Sequence, residues 1–577
     1  MVTDSNITKL WNHLSKHRQK HYWYTLILVF IASIAEVISI GAVIPFLAVL
    51  TAPETLFQYP YISQFIQVFG LTEPQQILLP ITVIFILSAV LAGLARVLLL
   101  YAMTRLTYAT GADLSIDIYR RTLYQDYPVH ISRNSSEIIN GVITKINTII
   151  AGIISPTLTL ISSVVFVVVI LIALFAIDII VALTASIAFG GFYLGIIYYT
   201  RHRLRENSQC VAEQSTQMVK SLQEGLGGIR DVIINSSQEF YCDLYRRADL
   251  PVRRATANSK FISASPRFVM EALGMTIIAG LAYMMSQREG GLDSAIPILG
   301  ALALGAQRLL PALQLGFSSY SNIKASWASL NDVLMLLDQP ISEYVKRSST
   351  PPISFKKKIE LSNISFRHTT KSPWILKNIN LIISKGSRVG FIGVTGSGKS
   401  TLLDIVMGLL QSIEGKLIVD NCVITSENRG AWQKNIAHVP QNIYLSDSTI
   451  EENIAFGLPK EEINHKQVVK VAKQAQIEEF IKKMPNQYQT TVGEGGVQLS
   501  GGQRQRIGIA RALYKEANVL IFDEATSALD NETELAIMKA IDDLGKDFTI
   551  LIIAHRLSTL TGCDQVVEVS NYGVSVK

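Results

Sequence analysis

Cysteine is nearly absent: Cys210, Cys242, Cys422 and Cys563 are the 4 cysteines in 577 residues, and no two have Cys-x-x-Cys spacing. A disulfide framework and a zinc site are therefore not expected, and the four are expected to be reduced packing residues. Charge is sparse too, at 17% of residues, where a soluble domain carries about 25%. Lys and Arg (52) outnumber Asp and Glu (46), a net +6, but they are scattered among the segments between apolar runs rather than gathered in one stripe. That distribution argues against nucleic acid as a partner. The segment 51–76 has no Lys or Arg at all. No small-residue cleavage site closes the first apolar run, and a run from near Trp23 to about Leu50 is too long for the core of a signal peptide.

What is abundant is apolar: 49% of residues are hydrophobic and the mean hydropathy is +0.30. Runs at 23–50, 77–104, 149–177, 178–200, 266–286 and 294–318 are each long enough to cross a hydrocarbon layer of about 30 Å. The expectation is a polytopic α-helical membrane domain of six transmembrane helices over 23–325. Basic residues cluster in the leader 1–22 and in 105–148 and 201–260, whereas 51–76, 177–178 and 287–293 have few or none. The positive-inside rule then puts both termini and the two long loops in the cytoplasm. In the external segment, Ile62, Phe65, Ile66 and Phe69 recur at helical spacing, which predicts an amphipathic helix near 56–70 lying at the membrane interface or across the mouth of a dimer.

Charges inside such spans are costly, so each is a functional candidate. Arg308 falls about 14 residues into the last run, roughly 20 Å deep at 1.5 Å per residue, and Glu36 is similarly deep in the first. Arg96 and Arg267 fall nearer the cytoplasmic interface, where snorkelling is the simpler account. Arginines lining a cavity would suit a pyrophosphate group; pairing of Arg308 and Glu36 with each other, or with other residues to hold the bundle, is the alternative.

From 326 to 356 the chain turns polar and proline-containing around Lys346-Arg347-Ser348-Ser349-Thr350-Pro351-Pro352, as a linker does. Over 357–577 short β-branched runs alternate with helical patterns, which indicates a largely parallel buried sheet. After the run Arg388–Ile392 stands Gly393-Val394-Thr395-Gly396-Ser397-Gly398-Lys399-Ser400-Thr401, and an apolar helical segment follows. Strand, glycine loop, Lys-Ser and helix are the context that makes a phosphate loop credible. Its backbone N–H groups would cradle phosphates, with Lys399 binding them and Ser400 ligating Mg²⁺. Val519-Leu520-Ile521-Phe522 ends in Asp523-Glu524, at the strand end where α/β sites lie. Asp523 would hold the magnesium shell, and Glu524 would take the proton of the attacking water. Between them, Leu499-Ser500-Gly501-Gly502-Gln503 opens another helix and so offers a second anion-binding N-terminus.

These residues, in this order, resemble the ABC transporter superfamily across essentially the whole chain. The resemblance implies an α/β P-loop ATPase of ABC type with a helical subdomain, and ATP and Mg²⁺ as its ligands. It also implies that Leu499–Gln503 is the signature closing over the γ-phosphate of a second copy. Gln441 in His438-Val439-Pro440-Gln441 matches the glutamine that links magnesium and water to the membrane part. Asp530 in Ser527-Ala528-Leu529-Asp530 matches the loop crossing the dimer interface, and His555 matches the switch histidine that contacts the γ-phosphate. Thr491-Val492-Gly493-Glu494-Gly495-Gly496 is similar to the exporter loop that contacts the transmembrane loops. One departure is His368, which stands where the family stacks a tyrosine on adenine; it either stacks in its place or is a surface loop residue.

One membrane half joined to one intact ATPase resembles a half-transporter of exporter type, which implies a homodimer with two composite sites in the inner (cytoplasmic) membrane. Segments near 120–130 and 225–235 are expected to be coupling helices. The external helix, together with Ala35-Glu36-Val37, Val43-Ile44-Pro45-Phe46, Ser265-Pro266-Arg267 and Gln307-Arg308-Leu309-Leu310-Pro311, is similar to bacterial flippases of lipid-linked oligosaccharides, amid membrane lipids. Export of another drug, lipid or peptide stays open. A leader of about 22 residues leaves no room for a peptidase domain, so peptide processing is not expected.

Overall fold

The computed structural model describes residues 3–51, 78–177, 179–286, 291–340, 351–369, 371–523, 531–542, 548–553, 560, 562–570 and 572–576. The expected external helix near 56–70 and part of the expected linker, 341–350, lie outside them. The chain divides into two units: Met1–Leu123 with Arg133–Pro340, and Tyr124–Ser132 with Ile341–Lys577.

The first unit is helical. Among the described residues, Lys16–Gly41, Leu78–Leu123 and Ser135–Ile172 are long and apolar enough to cross a membrane. The other expected spans fall on the helices Ile179–Gly227, Pro266–Ser286 and Gly291–Ala325. Helix lengths differ from the expectation in one consistent way. Leu78–Leu123 runs 46 residues and Ile179–Gly227 runs 49, about 70 Å each at 1.5 Å per residue. Both are more than twice the hydrocarbon thickness, so much of what reads in the sequence as cytoplasmic loop is helix continuing past the apolar run. The first apolar run behaves oppositely. Its helix starts before it, at Lys16, capped by Ser15 whose hydroxyl accepts from the Arg18 N–H, and breaks inside it at Ala42 before Val43–Thr51.

The expected linker 326–356 opens on another helix, Trp327–Leu337, with Leu330, Val333, Leu334 and Leu337 buried on one face. Lys145 holds it from the side through an ion pair to Asp332 at 2.5 Å. Lys145 leaves a π-helical turn, Gly141–Lys145, and the extra residue in such a turn re-aims a side chain.

The second unit is built around two sheets among its described residues. The strands are β1 (Lys358–Phe366), β2 (Leu376–Ser384), β3 (Arg388–Ile392), β4 (Glu414–Val419), β5 (Cys422–Val423), β6 (Ile436–Val439), β7 (Val519–Asp523), β8 (Thr549–Ile553), β9 (Gln565–Ser570) and β10 (Gly573–Val576). The antiparallel sheet has the order β2-β1-β4-β5, and the six-stranded sheet β10-β9-β3-β8-β7-β6 is parallel from β9 to β6. Alternation along β7 and β8 divides two cores. Val519, Ile521, Leu551 and Ile553 face the core shared with the helix Lys399–Val406 and the antiparallel sheet. Leu520, Phe522, Ile550 and Ile552 face the core built from the helices His465–Gln474 and Gly501–Tyr514. Burial on both faces is why these strands read as unbroken apolar runs.

Candidate functional site

The glycine loop spans β3 and the helix Lys399–Val406. Gly398 caps that helix at φ +97°, a left-handed conformation, and a Cβ there would meet Ile375 Cγ2 at 3.0 Å. A Cβ on Gly393 would come within 2.3 Å of the Val569 carbonyl oxygen. Only glycine lets the backbone curl this tightly. Lys399 is buried and its Nζ donates to the carbonyls of Gly393 at 2.9 Å and Val394 at 3.1 Å. Two of its three N–H groups thus brace the loop, and the third is left for a phosphate oxygen. The Ser397 hydroxyl is buried in the same loop with no partner among the described residues, an orphan that a phosphate oxygen satisfies. Ser400 is exposed at the second helical position.

β7 carries Asp523 to the sheet's carboxyl end, beside Ile553 of β8. Gln441 follows two residues after β6 and is exposed. Ser400, Gln441 and Asp523 are all oxygen donors, a set suited to a hard cation such as Mg²⁺. Glu524, Asp530 and His555 lie outside the described residues. Asp404, on the helix after the glycine loop, was not singled out by sequence, although a lone carboxylate in an apolar helical stripe was the available signal. Burial, then the charge of Asp523, pushes its carboxyl up to about 6. The folded chain holds this proton more tightly than the unfolded one, so Asp404 costs stability as the pH rises through about 6. In magnesium-free protein, Asp404→Asn should raise the thermal midpoint by a few degrees near about pH 8, worth roughly 1 kcal/mol after solvent screening, and hardly at all near about pH 4. An equal gain at both pH values would refute this.

Leu499 is buried and Ser500 caps the helix Gly501–Tyr514 in a reciprocal box: the Gln503 N–H donates to Ser500 Oγ at 3.2 Å, and the Ser500 N–H to Gln503 Oε1 at 2.8 Å. The cap meets the Gln503 donor and leaves the first-turn N–H groups of Gly501 and Gly502 for an anion. Arg511, which the sequence reading passed over, ties this helix to the segment after Gln441. Its Nε donates to the Asn453 carbonyl and its Nη1 to the Tyr444 carbonyl, both at 2.9 Å, and it lies 4.5 Å over the Phe456 ring. The helix Lys399–Val406 and the helix Gly501–Tyr514 pack on opposite faces of the six-stranded sheet. Within one chain the two candidate phosphate-binding ends are separated by that sheet.

His368 is exposed after β1, edge-on to Phe366 at 5.4 Å between ring centroids. In the loop Thr491–Gly496, Glu494 and Gly495 are exposed, while Arg504 Nη1 donates to the Gly496 carbonyl at 3.5 Å.

The segment Tyr124–Ser132 belongs to the second unit and contains a short helix, Tyr127–Ser132, in the region expected to couple. Asp126 pairs with Arg429. Burial and then the Asp404 charge push the Tyr127 phenol up. Arg429 opens the helix Arg429–Gln433, whose fully buried Trp432 donates from Nε1 to the Val406 carbonyl at 2.8 Å. A continuous path therefore joins Asp126 to the end of the glycine-loop helix. The other expected coupling segment holds the helix Ile229–Ile234.

In the first unit, the candidate charges sort differently from the expectation. The helices Lys16–Gly41 and Leu78–Leu123 pack antiparallel, with Arg18 opposite Asp113, Tyr22 opposite Thr110 and Glu36 opposite Arg96. That register carries Arg96 as deep as Glu36, and the two form an ion pair instead of Arg96 snorkelling. Arg267 is exposed and donates to Glu271, one turn on, at 2.8 Å. Arg308 falls on the helix Gly291–Ala325; its side chain lies outside the described residues.

Comparison with known proteins bears on both units. Residues 376–527 match the family model described as ABC transporter, and residues 23–288 match the ABC transporter transmembrane region. The chain is 32% identical over 385 residues to an ATP-dependent lipid A-core flippase of Pseudoalteromonas translucida (strain TAC 125), covering 66% of this chain and 65% of that protein. It is 29% identical over 410 residues to the putative multidrug export ATP-binding/permease protein YgaD of Bacillus subtilis (strain 168), covering 70% and 69%. The matched stretch thus spans about two thirds of these relatives. The solved structure of a bacterial Atm1-family ABC exporter with ATP bound superimposes with a TM-score of 0.77, at 21% identity, over 98% of this chain and 95% of that one.

Proposed function

Because the chain belongs to the ABC transporter family, with a transmembrane region and an ATP-binding domain in one polypeptide, we propose that it is an ATP-driven exporter or flippase working as a homodimer in the inner membrane. The observation that carries the dimer is the sheet between the two phosphate-binding ends. Lys399 with the glycine loop of one chain and Ser500 with Gly501 and Gly502 of another enclose one ATP, so binding draws two copies together.

The reaction is hydrolysis of the terminal phosphate. The glycine loop and Lys399 hold the phosphates, and the N–H groups at the start of the helix Gly501–Tyr514 stabilise charge as it spreads onto the leaving phosphoryl oxygens. Ser400, Gln441 and Asp523 would hold magnesium, which when bound offsets phosphate charge. Glu524 takes the proton from water, steadied by His555; Asp530 lies at the dimer seam, and His368 stacks on adenine. Hydrolysis releases the two copies, and Asp126, paired to Arg429, passes the movement to the membrane helices.

The transported molecule we propose is a lipid-linked oligosaccharide or a related amphipathic lipid, with Arg308 meeting its phosphates. Support comes from the lipid A-core flippases among the relatives; the multidrug exporters support export of another hydrophobic compound. ATP hydrolysis in proteoliposomes, measured with lipid-linked saccharides, ordinary phospholipids and drugs, separates the two. The proposal expects stimulation by the phosphate-bearing lipids and its loss in Arg308→Ala with basal hydrolysis intact. Stimulation by drugs alone would overturn it.

Coupling has its own test. Arg429→Glu should cut transport about tenfold, the worth of one half-buried charge-assisted pair, while basal hydrolysis stays within about twofold. Adding Asp126→Arg should recover part of the transport. No recovery in the double variant would remove this pair from the coupling route.

A further inference from the structure

The helix Ile179–Gly227 is followed by the return of the chain along Gln238–Ala264, and two contacts fix their register. Asn207 Nδ2 donates to Ser259 Oγ at 3.1 Å, and Tyr241 packs beside Gly225, where an added Cβ would meet its ring at 3.4 Å. Both pairs give one antiparallel alignment, in which Arg203 is level with Ser263 and Thr200 with Pro266, just past the break at Ser265. The apolar run 178–200 therefore ends at the depth where the run 266–286 begins. That shared level is the cytoplasmic edge of the hydrocarbon.

A cavity of about 650 Å³ lies between the two arms at this level, and its lining includes Ile196, Tyr199, Arg203, Glu206, Asn258 and Val269. The lining sorts by depth. Ile196 and Val269 are on the membrane side of the edge. Arg203 is about 4.5 Å beyond Thr200 on the cytoplasmic side, and Glu206 about 4.5 Å further, at 1.5 Å per residue. Asn258, level with Ser208, is beyond both. Arg203 lies 5.7 Å over the Tyr199 ring, and its guanidinium has no hydrogen bond or ion pair among the described residues. Glu206 Oε1 is 3.2 Å from His202 Nδ1, which leaves its second oxygen available. Lys260 is level with Glu206 but outside the lining. Tyr199 and Phe261 are exposed in the cavity wall, and rings of this kind belong at the level of lipid headgroups.

From membrane to cytoplasm the wall is thus apolar, then cationic, then anionic. We infer that this cavity binds a phosphatidylethanolamine of the cytoplasmic leaflet, whose acyl chains, phosphate and ammonium follow in the same order. The chains lie against Ile196 and Val269, the phosphate accepts from Arg203, and the ammonium donates to Glu206. Phosphatidylglycerol has no cation for Glu206, and the quaternary ammonium of phosphatidylcholine has no N–H to donate. The inference rests on the transmembrane reading of these helices, and neither on ATP turnover nor on the transported molecule.

The test extracts the full-length protein from bilayers of equal phosphatidylethanolamine, phosphatidylglycerol and phosphatidylcholine, and counts retained lipids by native mass spectrometry. Wild type should retain phosphatidylethanolamine in preference. Glu206→Gln should lose about three- to fivefold of that preference, the worth of an exposed ion pair. Arg203→Gln should lower retention of all three lipids by about the same factor, since each carries the phosphate. Arg205 is exposed at the same depth but outside the lining, and Arg205→Gln should behave as wild type. Basal ATP hydrolysis should match wild type in every variant, so that a lost preference is not lost folding. An undiminished preference in Glu206→Gln, equal loss in Arg205→Gln, or a wild type without preference overturns the site; in the last case something else, such as a second copy of the chain, covers the cavity. Millimolar phosphoethanolamine is the other arm: no displacement is expected, and stripping of the lipid would overturn the role of the apolar end and make this a site for a free zwitterion.

Discussion

Lys399→Ala is expected to lower ATP hydrolysis by at least about a hundredfold, with nucleotide affinity falling alongside it. Hydrogen bonds to a charged group contribute about 1.5–3 kcal/mol each, and the alanine loses three: those to the Gly393 and Val394 carbonyls and the one to phosphate. The carbonyls are then left without their donor, so the loop loosens as well as losing its charge. Lys399→Arg should not rescue activity, since a planar five-donor fork does not fit a buried point-charge site. Hydrolysis and nucleotide binding measured side by side in proteoliposomes decide the matter. Turnover within about threefold of wild type would show that Lys399 does not hold the phosphates.

Glu524→Gln should be as damaging to hydrolysis yet leave binding untouched. The amide keeps the size and hydrogen-bonding reach of the carboxylate but cannot accept a proton, and positioned general bases contribute about a hundred- to ten-thousandfold. ATP should therefore accumulate bound, and the two copies should stay docked, which crosslinking through the ATPase unit would detect. Near-normal turnover in this variant would refute Glu524 as the base, and loss of ATP binding would mean that the residue holds nucleotide rather than water.

The glycine loop was legible because its chemistry is local. Gly393, Gly398 and Lys399 follow one another within seven residues, and a tight turn needs glycine whatever surrounds it. The signature helix was legible for the same reason, since Ser500 and Gln503 cap it from three residues apart. Asp404 escaped notice because its partner, Asp523, is far away in sequence and arrives only when the helix packs on β7. Arg511 and Arg429 act through the carbonyls of Tyr444 and Asn453 and through Asp126, and no periodicity announces such pairs. The linker expected over 326–356 opens on the helix Trp327–Leu337, whose own apolar residues were the available signal, while the burial of Leu330, Val333, Leu334 and Leu337 needed neighbours distant in the chain.

By itself the sequence determined the membrane character, the ATPase motifs and the sites where glycine is obligatory. Each of these follows from chain length, apolar run length or backbone sterics acting over a few residues. Tertiary structure alone decided that Arg96 sits opposite Glu36, that the long helices continue past the apolar runs, and that the segment around Asp126 belongs with the ATPase unit. It also placed the glycine-loop helix Lys399–Val406 and the helix Gly501–Tyr514 on opposite faces of one sheet. Those facts depend on register between elements distant in the chain, and register is set by which faces are buried against each other, which a local pattern does not encode.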